Sequence, residues 1–257
     1  VPVLSDHVAL VTGSSRGLGA TIARRLAADG ATVVVNYRAR EDLADEVVAG
    51  IRAAGGSALA IGADTTDEEA VRDMVARIAL DAGPVRLLVN NSGIMSRSSV
   101  EEMDVASWDE MMTSHLRSAF LVTRECLRAG TSTLDPLPGR RIAAKVVNIG
   151  SGIVTATGRA KTGAVHYVTA KAGLVGFTQA LAAELAPRMT VNLVAPGIHF
   201  TDMNGGPADD ATRETLAGIF LLGLPRDEDV AATVAYLLSP DADHVTAETI
   251  TPNGGAA

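Results

Sequence analysis

The sequence predicts an α/β domain, a doubly wound parallel sheet of seven strands with helices on both faces. Three observations predict it. Short runs that are apolar throughout, such as Val8–Val11 and Thr32–Val35, alternate with segments whose apolar residues recur at helical spacing. A glycine cluster at Gly13, Gly17 and Gly19 separates the first run from the first helical segment. No linker interrupts the rhythm, so residues 1–257 read as a single domain. Aromatic residues make up only 3% of a chain that is 47% hydrophobic, so the core must be built from Ala, Val, Leu and Ile.

The elements follow in order. Val8–Val11 is the first strand, and Leu18, Ile22 and Leu26 line one face of a helix that Gly30 stops. Thr32–Val35 is β-branched and reads as the second strand. Leu43, Val47 and Ile51 mark a second helix, Ala58–Ile61 a third strand, and Val71, Val75 and Ile78 a third helix. Leu87–Val89 is a fourth strand, and one long helix is predicted over Ser107–Arg128. Ala129–Lys145, with Pro136, Pro138 and Gly139, reads as a surface loop before the strand Val146–Ile149. A long helix over His166–Ala186, a strand near Thr190–Val194, a helix over Asp227–Leu238 and a last strand at Thr249–Thr251 complete the pattern. Asn204–Asp210 is rich in Gly and Pro and precedes a further helix expected at Ala211–Leu222.

Charge and cysteine content narrow the function classes. The formal net charge is −8 and no basic run is present, which argues against a nucleic-acid partner. The single cysteine, Cys126, rules out an internal disulfide framework and reads as a small buried residue. No apolar run approaches 18 residues, and the first residues lack the pattern of a signal peptide, so a cytoplasmic protein is expected. His7, His166, His199 and His244 are scattered without metal-ligand spacing, and no metal is expected.

The glycine loop, Thr12 to Gly19, points to a dinucleotide. Glycines there let the backbone turn tightly and approach a pyrophosphate, and the following helix start offers N–H groups and a positive dipole end. Its spacing is Gly-x-x-x-Gly-x-Gly, and its position after the first strand makes the fold Rossmann-type. Gly13, Ser15, Arg16, Gly17, Leu18 and Gly19 are the candidate contacts. The same stretch fits Gly-x-Ser-x-Gly, the nucleophile elbow of α/β-hydrolases, but that elbow needs earlier strands and only a dozen residues precede it. Beside the ribose, an acidic residue ending the second strand would favour NAD. Here Asn36, Tyr37 and Arg38 stand in that place with Arg16 nearby, which favours the 2′-phosphate of NADP(H).

Tyr167 and Lys171 stand four apart on a predicted helix and therefore share a face. A free phenol holds its proton to a pH of about 10, and a neighbouring ammonium stabilises the phenolate. The pair is a candidate general acid for a developing alkoxide. Ser151 follows a strand, at the carboxyl edge where parallel sheets bind ligands, and its hydroxyl is placed to hold a carbonyl for hydride attack.

With these residues in view the chain resembles the short-chain dehydrogenase/reductase family, nearly end to end. Thr12–Gly19 matches the cofactor loop, Asp64 with the adjacent Thr65 the adenine-side contact, and Asn90-Asn91-Ser92-Gly93 the Asn-Asn-Ala-Gly motif with Ser for Ala. Ser151 and Tyr167-x-x-x-Lys171 match the catalytic set, and Asn192 to Gly197 with Thr201 the Asn-x-x-x-Pro-Gly segment. The resemblance implies that Asn91, Ser92, Gly93, Pro196 and Gly197 line the cofactor, that Lys171 holds the nicotinamide ribose, and that Ile198 and Thr201 contact the carboxamide. It also implies a homotetramer (or dimer) joined partly through the two long helices.

Two departures matter. Relatives carry an Asn seven residues after the helix Trp, where it holds a water in the proton relay behind the Lys; here Trp108 is followed by His115. His115 is either part of an altered relay or a packing residue. The likeness is greatest to 3-oxoacyl-carrier-protein reductases, many of which have a basic residue before Glu184, where this chain has Ala183. Arg124, Arg128, Arg140 and Arg141 form a candidate substitute patch. The expected function is NADPH-dependent reduction of a small carbonyl, free or carrier-bound. The alternatives are a ketoreductase or alcohol dehydrogenase acting on a free secondary metabolite, and a non-catalytic NADP-binding protein.

Overall fold

A computed structural model of the chain describes residues 3–138, 140–154, 163–197, 220–223 and 225–255. Seven parallel strands form one sheet in the order β3-β2-β1-β4-β5-β6-β7. They are β1 Val8–Val11, β2 Thr32–Tyr37, β3 Ser57–Gly62, β4 Val85–Asn90, β5 Ala144–Ile149, β6 Met189–Val194 and β7 Thr249–Ile250. The strands are mostly apolar because both faces of the sheet are covered: β1 and β5 are buried at every residue.

The first three helices, α1 Gly17–Ala28, α2 Glu41–Ala53 and α3 Glu68–Asp81, follow β1, β2 and β3 in turn. Asp67 caps α3 by accepting the Ala70 N–H, and Glu68 and Glu69 in its first turn suit the helix dipole. The long helix read over Ser107–Arg128 is divided. α4 Val105–Met112 and α5 Ser118–Arg128 are joined by a π-helical turn at Thr113–Arg117. Apolar spacing could not reveal this, because one inserted residue per turn leaves the flanking faces amphipathic. α6 Val165–Leu185 and α7 Asp227–Leu238 complete the described helices. Phe220–Leu222, which the sequence placed at the end of a helix, lie in a turn closed by Gly223 N–H on the Phe220 carbonyl.

Two apolar layers result. On one face Ile22, Leu26, Val47, Ile51, Val230 and Val234 of α1, α2 and α7 pack on the strands. On the other, Val71, Ile78, Leu121, Cys126 and Leu181 of α3, α5 and α6 do so. Cys126 is fully sealed, and burial pushes its thiol up to about 12, so it is inert packing. Among the described residues no helix is long and apolar enough to cross a membrane.

Strand order reverses between β1 and β4, and α1 after β1 and α5 after β4 pack on opposite faces, the arrangement that leaves a crevice at the carboxyl ends of the strands. The opposite edge is tied by a buried ion pair. Lys145 of β5 reaches Asp243 Oδ1 at 2.7 Å and donates to the Ser239 carbonyl at 2.7 Å. Removing one partner of a buried pair strands the other charge. Asp243→Ala is therefore expected to cost about 3 kcal/mol, lowering Tm by roughly 6–12 °C. Lys145→Met/Asp243→Leu should recover most of the loss; thermal denaturation of both variants checks this.

Candidate active site

The glycine loop is held from both sides before any ligand arrives. Gly13 adopts φ +60°, a left-handed conformation open to glycine. Its N–H donates to Asn36 Oδ1 at 3.1 Å, and its carbonyl accepts from Asn91 Nδ2 at 3.1 Å. Asn91 Nδ2 also donates to the Thr12 carbonyl at 2.9 Å, while Thr12 Oγ1 accepts the N–H groups of Asn91 and Ser92 at 2.9 and 3.0 Å. The Ser14 N–H is taken by the Asn36 carbonyl at 2.9 Å. Gly13 and Ser14 are thus committed to the turn. At the start of α1, at Gly17, Leu18 and Gly19, no side chain caps the helix, which leaves a helix N-terminus of the kind that can hold an anion.

The cradle fits a pyrophosphate. A Cβ at Gly19 would stand 2.6 Å from both Asn91 Nδ2 and the Gly13 carbonyl, so only glycine permits this close approach. Ser15 and Arg16 lie on the exposed rim of the same loop.

Asn36 is not the ribose reader that its sequence position suggests. It is 1% exposed, and its Nδ2 donates to the Ala63 and Ile61 carbonyls at 3.1 and 3.3 Å. Side chains alternate along a strand, so the next residue, Tyr37, turns outward. The Tyr37 ring covers Gly62, whose added Cβ would lie 3.0 Å from it, and burial, followed by a hydrogen bond to Glu41, pushes the phenol up. Arg38 reaches Asp64 across the β2 and β3 ends at 3.9 Å, with both side chains exposed. Asp64 Oδ1 accepts the Thr66 N–H and hydroxyl at 2.9 and 2.7 Å. Thr65 faces inward, accepting from Ser118 Oγ at 2.8 Å, so its side chain braces α5.

Ser151, Tyr167 and Lys171 meet beyond the end of β5. Ser151 and Tyr167 hydroxyls share a hydrogen bond. Lys171 Nζ donates to the Ile149 carbonyl at 2.8 Å and lies 5.8 Å from the Tyr167 ring centre. The sequence argument that the ammonium lowers the phenol needs correction, because another effect is larger. Burial dominates and pushes Tyr167 up, opposed by the Ser151 bond. Burial also brings Lys171 down to about 7. The Ser151 loop is tied to the next strand by Gly152 N–H on the Pro196 carbonyl at 2.6 Å, and a Cβ at Gly197 would meet Asn253 at 3.1 Å. Asn192 pins β7 through Val245 and Glu248 backbone groups at 2.8 and 3.1 Å. Ile198 and Thr201 lie outside the described residues.

The π-helical turn aims His115 inward. The imidazole is 2% exposed, bonds the Ile94 carbonyl through Nε2 at 2.8 Å, and stands edge-to-face on Tyr167 with ring centres 5.5 Å apart. Burial and the neighbouring Lys171 hold it down to about 3, so it is neutral at physiological pH. A Cβ on Gly93 would sit 2.1 Å from its Cε1, which gives that glycine a steric reason.

Some participants escaped the sequence reading. The bracing roles of Thr12 and Asn36 depend on pairings over 79 and 23 positions in sequence. His166 bonds Ser96 at 3.0 Å, clasping the loop after β4 to the start of α6. The basic patch is also partly compensated. Arg124 pairs with Glu68 and Glu125 at 2.7 and 2.9 Å, and Arg128 with Glu125 at 2.9 Å. Arg140 donates to the Val3 carbonyl at 2.6 Å. Among the described residues no three His, Cys, Asp or Glu side chains are grouped to hold a metal ion.

Comparison with known proteins agrees with this geometry. The family profile described as short chain dehydrogenase matches residues 7–211. The 3-oxoacyl-[acyl-carrier-protein] reductase FabG of Staphylococcus aureus is 37% identical, with 96% of each chain covered. A short-chain dehydrogenase/reductase from Serratia marcescens superposes with a TM-score of 0.87 at 33% identity, covering 99% of both chains. A short chain dehydrogenase from Burkholderia cenocepacia, solved in complex with NADP, gives 0.86 at 37% identity, again over 99% of each chain. The fold, the glycine cradle and the Ser–Tyr–Lys cluster thus meet in one chain that belongs to the short-chain dehydrogenase/reductase family, a nicotinamide-dependent oxidoreductase acting on carbonyl or CH–OH groups.

Proposed function

We propose that residues 1–257 form one cofactor-binding and catalytic domain that uses NADPH to reduce a ketone to a secondary alcohol. The observation that carries this is the convergence of two hydroxyl groups, Ser151 and Tyr167, beside a buried lysine at the carboxyl edge of the sheet. The helix start at Gly17–Gly19 holds the pyrophosphate, with Gly13 shaping the turn and Ser15 and Arg16 on its rim. Arg38 with Arg16 takes the 2′-phosphate, Tyr37 and Asp64 flank the adenosine, and Asn91, Ser92, Gly93, Pro196, Gly197, Ile198 and Thr201 line the nicotinamide side. The NADP complex of the Burkholderia cenocepacia relative supports this choice of cofactor.

When bound, the cofactor supplies a hydride. Ser151 orients the substrate oxygen, and Tyr167 donates its proton to that oxygen as negative charge develops. The burial that pushes Tyr167 up keeps it protonated at neutral pH, the form a proton donor needs. Lys171 then compensates the phenolate that remains, and a proton from solvent restores it. The substrate class is a 3-oxoacyl thioester or a related small carbonyl, in keeping with the FabG relative. A free small molecule, such as a secondary-metabolite ketone, is the second reading. It is favoured by the pairing of Arg124 and Arg128 with carboxylates, which weakens that patch for an acidic carrier. We also propose a homotetramer or dimer, supported by exposed Val105, Phe120 and Val165 on α4, α5 and α6.

Tyr167→Phe should lower kcat for ketone reduction by at least about 10²-fold while leaving NADPH binding intact; NADPH absorbance and fluorescence titration measure the two. Retained turnover would remove Tyr167 from this role, and cofactor binding by the wild type with no turnover on any ketone would leave a non-catalytic binder. Arg38→Ala should raise the KM for NADPH about tenfold or more and change that for NADH little, because it removes a phosphate contact worth more than about 1.4 kcal/mol; equal effects would sink the NADP assignment. Lys171 supplies a pH test on the cofactor-free chain. Its value falls from 10.5 to about 7 on folding, so between these limits the unfolded chain holds a proton that the folded chain lacks. This contribution to stability is complete above 10.5 and is lost as pH falls to about 7. The rise in urea midpoint from pH 7 to 10 should be smaller in Lys171→Met than in the wild type.

A further inference from the structure

His115 sits where a proton carrier would be useful, yet its bonding is that of an insulator. The Ile94 carbonyl can only accept, so Nε2 carries the ring hydrogen. Nδ1 is then a bare acceptor, and it is buried with no hydrogen-bond partner. The reason is its neighbour: a Cβ built on Gly93 would lie 2.5 Å from Nδ1, so the Gly93 backbone closes that edge of the ring. One nitrogen ends on a backbone carbonyl and the other on a glycine carbon.

Among the described residues, the charged and titratable groups that act on the ring or meet it lie on α6. They are Lys171 and His166, both of which oppose a second proton on the imidazole, and Tyr167. Tyr167 has both Lys171 and His115 beside its ring. Lys171 Nζ is 5.8 Å from its ring centre, and the His115 ring meets it edge-to-face at an interplanar angle of 80°. An edge-to-face pair favours one relative orientation of its two rings, and the His115 ring covers part of the half-buried phenol.

Resting on the reductase function proposed above, we infer that His115 is a positioning residue for Tyr167: an uncharged wedge, seated on Gly93 and tied to Ile94, that fixes the phenol ring and passes no proton. The proton that restores Tyr167 after each turnover reaches it by a path that does not include the imidazole.

Three variants separate a wedge from a relay. His115→Phe keeps the ring and removes both nitrogens; kcat should stay within about threefold of wild type, with an unchanged pH profile. His115→Ala removes the wedge; kcat should fall about tenfold or more while the KM for NADPH stays within about twofold, as expected when reacting groups are misplaced. Gly93→Ala keeps the imidazole but pushes it from its seat, and should lower kcat as His115→Ala does. The double variant should be no worse than the poorer single one, since both remove the same contact. Loss in His115→Phe equal to that in His115→Ala, a shifted limb in its pH profile, or additive losses in the double variant would overturn the inference. Phenol titration by ultraviolet absorbance, taken as the difference from Tyr167→Phe, gives a readout without turnover. Its midpoint should fall in His115→Ala, where water enters, and not in His115→Phe; an unmoved midpoint in His115→Ala contradicts the wedge. Failure of the wild type to reduce any ketone would instead strike the proposed function, leaving this spectroscopic test in place.

Discussion

Gly13 is the point on which the site turns. Both of its backbone polar groups are taken by side-chain amides, its N–H by Asn36 from β2 and its carbonyl by Asn91 from the segment after β4. The loop is therefore fixed from two strands on either side of β1, and a left-handed residue is held without help from a ligand. The following helix start is aimed by that turn. Asn91 leads within two residues to Gly93, whose bare carbon seats His115, whose ring in turn meets Tyr167. The glycine loop and Tyr167 are thus ends of one contiguous set of contacts.

Desolvation sets the chemistry of what lies along that set. Tyr167 is pushed up, Lys171 down to about 7 and His115 down to about 3, each away from its charged form. In a site of this kind the protein arrives with its acid protonated and its imidazole neutral. Lys171 is the exception that matters, because its value falls within the working range of a cell, so its charge responds readily to an anion bound nearby. Burying these groups costs stability, and the two apolar layers on either face of the sheet supply the offset.

The arginines divide by what they touch. Arg86 and Arg188 donate to backbone carbonyls at Asp135, Ala143, Ser132 and Leu134, so they brace the segment between α5 and β5. Arg124 and Arg128 are matched by Glu125 and Glu68. Arg38, by contrast, has a long 3.9 Å contact to the Asp64 carboxylate with both side chains exposed. A count of basic residues could not have drawn these distinctions, which depend on which carbonyl or carboxylate lies within a few ångströms.

What the sequence determined by itself was the layered α/β architecture, the bounds of strands such as Val8–Val11, the glycine loop, and the Ser151, Tyr167 and Lys171 set. These are local matters: hydrophobic period, the conformational freedom of glycine, and a four-residue spacing on a helix. Tertiary structure alone decided that Asn36 braces the loop and that Thr65 faces α5. It also decided that the helix through His115 opens into a π turn and that the imidazole is neutral. Each depends on partners tens of residues away and on the water they exclude, and a hydrogen-bond partner or a local dielectric is a property of the packed chain that no short stretch of sequence contains.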